Sequence, residues 1–433
     1  MKRILLLMAA TAVGVSAAAQ YTLDSCQRLA RENYPLIRQY GIVEQTEEYS
    51  LKNASMAYVP QLSLSGQATY QSDVVSFPDA FQEMFRMMTG EEMEGIHPDQ
   101  YKFMLSLNQT IWDGGHTKSQ KEMARAEKEV AVQTAETEMH ALRGRVNQIY
   151  FGILMLTAQL EQNSLVQSTL ENNRNTVAAY VANGTAMESD LNHIRAELMA
   201  NSQRRAQVES SHKAYRMMLS LMTGVDMGEG ATFAKPEVPR EETMMPTGVR
   251  RPELDLFNAQ TAQLEAQRRA LNAAVTPKLG LFAQGWYGNP GLDMFADMME
   301  YKWGFNGIAG VQLSWDISGF YTLRGNRRKI DLAMEQVDVQ RDIFLYNNRL
   351  QQSQLSGAIE RMEKVMKDDD EIIALRESIR KVSEAKLANG TMSVSDLLND
   401  IANESQARMA KSLHELEWLK NIYEMKETVG TQD

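Results

Sequence analysis

Two long stretches without proline restrict the fold more than any other feature of this sequence. Residues 117–181 carry only Gly144 and Gly152 among good helix formers, and residues 322–388 form a second stretch of similar length. At 1.5 Å per residue, one such helix is on the order of 100 Å long, which is too long for an ordinary globule. Apolar residues in the first stretch recur at three- and four-residue steps, as in coiled coils. The sequence therefore predicts long, paired helices.

A short turn follows each long stretch and predicts a reversal of the chain. The tetrapeptide Ala-Asn-Gly-Thr stands at 182–185 and again at 388–391. Glycine after asparagine is typical of a helix C-terminus at which the chain enters the left-handed region. We therefore expect returning helices at 187–222 and 394–428, each antiparallel to the long helix before it.

The returning helices begin with cap patterns. Thr185 with Glu188 matches a capping box, in which each side chain bonds the other residue's backbone N–H. Ser393 with Asp396 is an imperfect version of this pattern. We therefore predict that Thr185 caps the first returning helix.

Four other segments alternate between apolar and polar residues. They begin near Leu62, Tyr101, Leu279 and Trp303, and Gln109 interrupts the alternation in the second segment. Alternation of this kind gives a strand one apolar and one polar face. Runs of about ten residues are long enough for a tilted strand to cross the hydrocarbon layer of a membrane. A soluble sheet packed on a core is the alternative, because single strands look the same in both settings.

Most of the tryptophans lie at or near the ends of these segments. They are Trp112, Trp286, Trp303 and Trp315. Outer-membrane barrels carry aromatic residues at both membrane–water interfaces. We therefore predict that these four residues are membrane-interface aromatics.

Four strands cannot close a barrel, and an open edge is not viable in lipid. The missing strands must then come from other copies of the chain. Three copies would supply twelve strands around a cyclic axis, and two copies would supply eight. The strand pattern by itself leaves both numbers open.

The two halves of the chain share landmarks in the same order, which predicts an internal repeat. The shared landmarks are a proline pair, a strand pair, a long helix, and a Gly-Thr turn that is followed by Ser-Asp-Leu. We predict a signal peptide at 1–19, a first repeat at 20–223, a linker at 224–249 and a second repeat at 250–433.

The amino terminus has the pattern of an export signal. A positive start at Lys2 and Arg3 precedes a short apolar core and a small-residue cleavage site that ends at Ala19. That core is too short to span a bilayer, which takes about 20 apolar residues. The single cysteine, Cys26, excludes an internal disulfide. We predict that it is buried rather than lipid-bearing.

Neither charge nor motifs point to catalysis or to nucleic acid. The formal net charge of −11 does not suit nucleic acid, which needs a basic surface. The sequence contains no Gly-rich phosphate loop, no Gly-x-Ser-x-Gly elbow and no His-Glu-x-x-His zinc motif. We therefore predict no enzyme activity, no cofactor and no metal site.

Together these landmarks resemble the TolC-like outer-membrane efflux protein family. The matching segments are Tyr21-Thr22-Leu23-Asp24, Arg31-Glu32-Asn33-Tyr34-Pro35, Val59-Pro60-Gln61-Leu62, Trp112-Asp113-Gly114-Gly115 and the two Gly-Thr turns. The resemblance covers essentially the whole mature chain. It implies a mixed α and transmembrane β fold: a homotrimer whose twelve-stranded barrel crosses the outer membrane and continues as a helical coiled-coil barrel in the periplasm. An equatorial layer would be built partly from the linker.

The resemblance also implies partners and site residues. A periplasmic adaptor protein and an inner-membrane pump would complete the system, and outer-membrane lipid would surround the strands. The residues implied to dock the adaptor at the helical tip are Gly184, Thr185, Gly390 and Thr391. Acids near the tip often narrow the closed entrance in this family, and the implied gate residues are Asp190 and Asp396. Met392 stands where some relatives carry an arginine, so their ionic latch is not expected here.

The function expected from these features is passive export of small molecules through the outer membrane. A secreted coiled-coil structural or adhesion protein is the first alternative, and it would have no lipid-facing strands. A cell-envelope hydrolase is the second, and it would need a convergent acid pair or a nucleophile, which the sequence does not supply.

Overall fold

The computed structural model describes residues 20–92, 95–228, 230–238 and 248–430. The predicted signal peptide and part of the predicted linker lie outside the described residues. The strands are β1 (Gln20–Tyr21), β2 (Gln61–Tyr70), β3 (Asp99–Trp112), β4 (Thr232–Phe233), β5 (Lys278–Asn289) and β6 (Gly304–Ser314). The helices are α1 (Leu23–Asn33), α2 (Ile37–Ser55), α3 (Asp79–Thr89), α4 (His116–Ala182), α5 (Glu188–Thr223), α6 (Pro252–Ala274), α7 (Met294–Met299), α8 (Gly319–Ala388) and α9 (Val394–Val429).

The four long helices confirm the sequence prediction, because each of their ends lies within three residues of the expected position. The four membrane-length strands are also confirmed. The chain divides into two compact units. The helical unit comprises Met1–Gly41, Gln133–Leu256 and Gln340–Asp433, and the sheet unit comprises Ile42–Val132 and Phe257–Val339.

The sheet unit contains a four-stranded antiparallel sheet in the order β2-β3-β5-β6. Residues directly opposite each other in an antiparallel sheet share one face. The register aligns Leu64 with Leu105, and Leu105 with Gly285. It therefore places the alternating apolar residues of all four strands on one face, here called the apolar face: Leu62, Leu64, Phe103, Leu105, Leu107, Leu279, Leu281, Tyr287, Phe305, Val311 and Leu313.

The opposite face of the sheet, here called the polar face, carries mainly hydroxyl, amide and glycine positions. Its members include Ser63, Ser65, Gln67, Lys102, Ser106, Asn108, Lys278, Gln284, Asn306, Gln312 and Ser314. The register shifts between Thr110 and Trp112, so Ile111 is the extra residue of a β-bulge. This bulge lies next to Gln109, at which the alternation breaks in the sequence.

A buried aspartate fixes the step from β3 into α4. Asp113 accepts hydrogen bonds from the Tyr58 hydroxyl at 2.9 Å and from the backbone N–H groups of Gly115 and Thr117 at 2.9 and 2.6 Å. Gly114 has a φ of +65°, and a side chain there would meet Thr276 Oγ1 at 1.7 Å. The geometry of this connection therefore accounts for Asp113 and Gly114 of the Trp-Asp-Gly-Gly segment.

The helical unit has a closed hydrophobic core. Its largest fully buried side chains on α4 are Tyr150, Phe151 and Ile153, which pack with Leu219 of α5 and Leu419 of α9. Burying an aromatic or aliphatic side chain contributes about 1.5–3 kcal/mol each. This unit therefore supplies its own apolar contacts.

Helix α1 and the described end of the linker complete this core. β1 pairs in parallel with β4, and Gln20 lies opposite Thr232. The Tyr150 hydroxyl lies within hydrogen-bond distance of the carbonyl oxygens of Tyr21 and Ala234, at 2.8 and 2.7 Å. A core tyrosine thus ties both segments to α4.

Cys26 is fully buried in this core, which confirms the prediction of a buried cysteine. It lies on the inner side of α1, between Leu23 and Ala30 in the i, i+3, i+7 pattern of a packed helix. Burial raises the pKa of its thiol to about 11. The side chain is therefore a structural apolar group.

Candidate functional site

The two Gly-Thr turns have the same backbone geometry. In the first, Gly184 has a φ of +73°, and both the N–H and the hydroxyl of Thr185 donate to the carbonyl of Tyr180, at 2.9 and 3.0 Å. In the second, Gly390 has a φ of +68°, and Thr391 donates twice to the carbonyl of Lys386, at 3.0 and 3.1 Å. Both glycines end a helix in the left-handed region, as predicted.

The predicted capping box at Thr185 and Glu188 is wrong. The Thr185 hydroxyl is already committed to the preceding helix, so Met187 takes the N-cap position of α5. The Asp190 carboxylate accepts the N–H of Met187 at 3.0 Å, which is half of a capping box. The sequence signal of Thr and Glu at the expected spacing was outweighed by the turn bond.

The second turn carries a serine N-cap. Ser393 Oγ accepts the backbone N–H of Asp396 at 3.1 Å and donates to Asp396 Oδ2 at 2.6 Å. A serine N-cap is worth about 1 kcal/mol. The serine cap therefore forms, whereas the reciprocal bond of a capping box is replaced by a bond between the two side chains.

A small hydrophobic cluster brings the two turns together. Val177 of α4, Leu191 and Ile194 of α5 and Val394 of α9 are buried against one another. The turn residues themselves, 183–185 and 389–391, are exposed. They are here called the turn pair. The structure thus places all four predicted docking residues on one exposed end of the helical unit.

The predicted gate acids lie just behind the turn pair. Asp190 is half-buried and Asp396 is exposed, and each carboxylate is hydrogen-bonded at the start of its own helix. A carboxylate in the first turn also interacts favourably with the helix dipole. Capping accounts for both residues locally, and their role as a gate stays a prediction.

An ion network that the sequence analysis missed lies between α8 and α9. Arg380 bonds the buried Glu404 and, at 2.5 Å, Glu384, and Arg408 bonds Glu404 and Glu377, each at 2.9 Å. Arg380, Glu384, Glu404 and Arg408 border a groove of about 520 Å³ between α4, α8 and α9. The i, i+4 spacing of Arg380 with Glu384 and of Glu404 with Arg408 is a local signal, but the cross-helix pairing needs the fold.

A second missed cluster joins α4, the start of α6 and the end of α9. Glu427 accepts a hydrogen bond from Asn147 at 2.9 Å and lies 3.4 Å from His140 Nδ1. Burial raises the pKa of Glu427 to about 7 and, together with Arg251, lowers the pKa of His140 to about 4. Arg251 itself pairs with Glu253.

Aromatic residues mark both ends of the apolar face. At one end, Trp303 stacks on Tyr101 at 5.6 Å between ring centroids and contacts Tyr287 at 5.5 Å. At the other end lie Trp112 and Trp315, and the indole N–H of Trp315 donates to the Val275 carbonyl at 2.9 Å. Three of the four predicted tryptophans thus lie at the strand ends, on or next to the apolar face.

Trp286 requires a correction. The register places it opposite Met104 and Asn306, on the polar face, whereas Tyr287 points to the apolar face. Only 7% of Trp286 is exposed, and the Lys102 ammonium lies 4.1 Å from its ring centroid. Because neighbouring strand residues point to opposite sides, a tryptophan near a strand end need not face lipid. Its neighbour Tyr287 is the aromatic residue that lies on the apolar face, opposite Phe103 and Phe305.

The described residues contain no group of histidine, cysteine and acidic side chains arranged for a metal ion. Within the same part of the chain, every helix is too short or too polar to cross a membrane.

Comparison with known proteins identifies the fold. Residues 27–225 match the sequence profile of the outer membrane efflux proteins. The outer membrane protein VceC of Vibrio cholerae superposes with a TM-score of 0.66 at 13% identity, covering 94% of this chain and 96% of VceC. The CmeC outer membrane channel of Campylobacter jejuni gives 0.65 at 14% identity over 95% and 87% of the two chains.

The open MtrE outer membrane channel of Neisseria gonorrhoeae gives a TM-score of 0.66 at 14% identity, covering 94% of this chain and 88% of MtrE. No curated protein sequence matches the chain. The fold is therefore that of an outer-membrane channel. In sequence, residues 27–225 resemble the TolC-like outer membrane efflux proteins. The interpretation as a secreted scaffold without lipid-facing strands finds no support.

Proposed function

We propose that three copies of this chain form a passive exit duct, with a twelve-stranded barrel in the outer membrane and the long helices in the periplasm. One observation carries the proposal: the sheet exposes its apolar face and has two free edges. Leu64 is 79% exposed and Phe305 is 88% exposed. Among the described strands, β2 pairs only with β3, and β6 pairs only with β5.

Lipid explains the exposed face, and copies of the chain explain the edges. An unsatisfied backbone group in hydrocarbon costs several kcal/mol, so a sheet survives there only when it closes on itself. Pairing β6 of one copy with β2 of the next, around a cyclic axis, would satisfy both edges at once. The polar faces would then line the interior.

The helical unit supports the same arrangement. Helix α8 carries two exposed apolar runs whose members recur at three- and four-residue steps. The first is Ile343, Tyr346 and Leu350, and the second is Ile372, Leu375, Ile379 and Val382. Apolar residues at this spacing on a long helix are normally buried against another helix. In the proposed trimer, a helix of the neighbouring copy would pack on these residues. The helix–turn–helix in each half of the chain would form the wall of the duct.

Reconstitution tests this proposal. The mature chain should purify in detergent as a stable trimer and should conduct ions in planar bilayers. A native mass measurement separates three copies from two. A monomer that stays folded in water without detergent would contradict the proposal.

We further propose that the turn pair docks a periplasmic adaptor, which couples the duct to an inner-membrane pump. Exposure and matched geometry at one end of the helical unit support this role. The double variant Thr185→Lys with Thr391→Lys should abolish export in cells, while the purified trimer should conduct as before. Ser202→Lys, at an exposed position within α5, is the control and should leave export intact. Loss of conductance together with export would place the defect in the duct itself.

Asp190 and Asp396 are proposed to narrow the closed entrance. In a trimer each would recur three times about the axis, and like charges gathered there repel. Asp190→Asn with Asp396→Asn keeps the amide oxygens as caps. It should raise the fraction of open channels and reduce the local preference of this entrance for cations. Glu188→Gln changes an exposed acid in the same turn and serves as the control. Equal behaviour of the two variants would remove the gate assignment.

A further inference from the structure

The charges on the polar face of the sheet are all of one sign. On this face the strands carry Lys102 and Lys278 and no carboxylate. The one strand carboxylate, Asp99, lies on the apolar side of the register, next to the Tyr301 hydroxyl. The polar face is thus electropositive, although the whole chain carries a net charge of −11.

Neither lysine is directly paired with an acid among the described residues. Asp113 lines the same pocket as Lys278, but its carboxylate accepts hydrogen bonds from Tyr58, Gly115 and Thr117 instead. No ion pair with a carboxylate within 4.0 Å involves either ammonium group among the described residues. The Lys102 ammonium rests on the Trp286 ring at 4.1 Å from its centroid, which orders the side chain without cancelling its charge. The buried Trp286 indole N–H also has no hydrogen-bond acceptor among the described residues.

The backbone around Lys102 leaves room for this arrangement. Lys102 lies opposite Gly288, and Gly288 lies opposite Gly304. A side chain on Gly288 would meet the Tyr101 carbonyl oxygen at 2.0 Å, so this position excludes any larger residue. Gly288 and Gly304, on the two neighbouring strands, have no side chains, and the Lys102 side chain can therefore lie across the sheet towards Trp286.

The two lysines mark opposite ends of the strands. Lys278 begins β5, and Gly288, the partner of Lys102, lies ten residues further along the same strand. At about 3.3 Å per residue the two charges are separated by roughly 33 Å along the strand. This separation is well above the Debye length of about 8–10 Å, so each lysine acts as a separate local charge.

We propose that the strand-lined passage attracts anions, with Lys102 and Lys278 forming a positive ring at each of its two ends. This inference rests on the proposed duct, in which the polar face lines the interior and every residue recurs in each copy. Rings of lysine in a narrow passage favour anions, because low-dielectric walls focus their field on a passing ion. The ligand class is small anions, or the anionic groups of a larger solute that moves outward.

The test compares two double variants of the full mature chain in planar bilayers. Lys102→Gln with Lys278→Gln removes both charges, and Lys102→Arg with Lys278→Arg keeps them. Under a potassium chloride gradient, the glutamine variant should shift the chloride-to-potassium permeability ratio towards potassium by about twofold or more, and the arginine variant should match the unmodified protein. Equal ratios for the unmodified and glutamine forms would overturn the inference.

Inorganic pyrophosphate provides a second readout. When added to the bath, it should reduce the current through the unmodified and arginine forms and lose this effect in the glutamine form. Single variants separate the two rings, because each should respond mainly to pyrophosphate added on its own side. If the proposed duct itself is wrong, neither the unmodified chain nor any variant will form a conducting trimer. That outcome is distinct from a conducting trimer whose ion selectivity does not depend on the two lysines.

Discussion

The helical unit and the sheet unit satisfy their apolar residues in opposite ways. The helical unit encloses Tyr150, Phe151 and Leu219 within its own helices, whereas the sheet leaves Leu64 and Phe305 open to their surroundings. The helical unit is stabilised by contacts that a single chain supplies, whereas in the proposed duct lipid and further copies would cover the sheet. The difference shows that apolar residues of one chain can form a core in one unit and an exposed surface in the other.

The largest effect that sharpens this comparison is expected in the helical core. Phe151→Ala should lower the free energy of unfolding by about 3–5 kcal/mol, because it removes a fully buried ring and leaves a cavity. Phe305→Ala is the matched variant on the sheet, and it should cost about 1 kcal/mol or less. Urea unfolding of the detergent-solubilised protein, followed by circular dichroism, measures both. Equal losses would break the distinction between the units.

A pair of neighbouring strand residues tests which face of the sheet meets lipid. Leu64→Lys should cost about 2–4 kcal/mol in a membrane and reduce the yield of assembled trimer, because it places a charge on the apolar face. Ser65→Lys introduces the same side chain one residue further on, on the polar face, and should assemble normally. The trimer fraction recovered from membranes is the readout. The reverse ranking would show that the assigned faces are exchanged.

A smaller effect should come from the buried charges of the helical unit. Glu427 has a pKa of about 7 in the folded state against an ordinary value of 4.5. Between these two pH values the folded state holds a proton that the unfolded state has released, so the Glu427 contribution to the free energy of unfolding falls as pH rises. His140, with a pKa lowered from 6.5 to about 4, acts in the opposite direction between pH 4 and 6.5.

Glu427→Gln should therefore become more stable than the unmodified protein as pH rises through 4.5 to 7. The full gain, about 1–3 kcal/mol, is expected above pH 7. Unfolding midpoints recorded at several pH values measure it. Glu161→Gln, at an exposed position on α4, should show no such trend. A pH-independent difference for Glu427→Gln would mean that the carboxylate does not carry this cost.

The smallest expected effect concerns the turn pair. Gly184→Ala places a side chain at a φ of +73° and should cost roughly 1–2 kcal/mol. Gly325→Ala lies within α8, where a side chain would meet nothing within 4 Å, and should instead stabilise the protein by about 0.5–1 kcal/mol. Thermal unfolding of the two variants gives the comparison. Tolerance of Gly184→Ala would mean that the turn relaxes out of the left-handed region.

The long helices, the strands and the glycine turns were predictable, because each depends on a pattern of neighbouring residues. The face of Trp286 was not, since it depends on the register that pairs it with Met104. The N-cap at Met187 was missed because the Thr185 hydroxyl bonds the helix behind it. Likewise, His140 and Glu427 are far apart in the sequence, so no local pattern predicts their contact.

The order in which the strands pair has a consequence for how the protein is made. The centre of the sheet joins β3 to β5, so that Tyr101 lies opposite Asn289. A chain that is exported amino end first delivers the β2–β3 hairpin, with its apolar face and an open edge, long before β5 emerges. Strands with an exposed apolar face and an unpaired edge tend to associate with one another. The β2–β3 hairpin is therefore the part of the sheet most prone to association with other strands until β5 pairs with it.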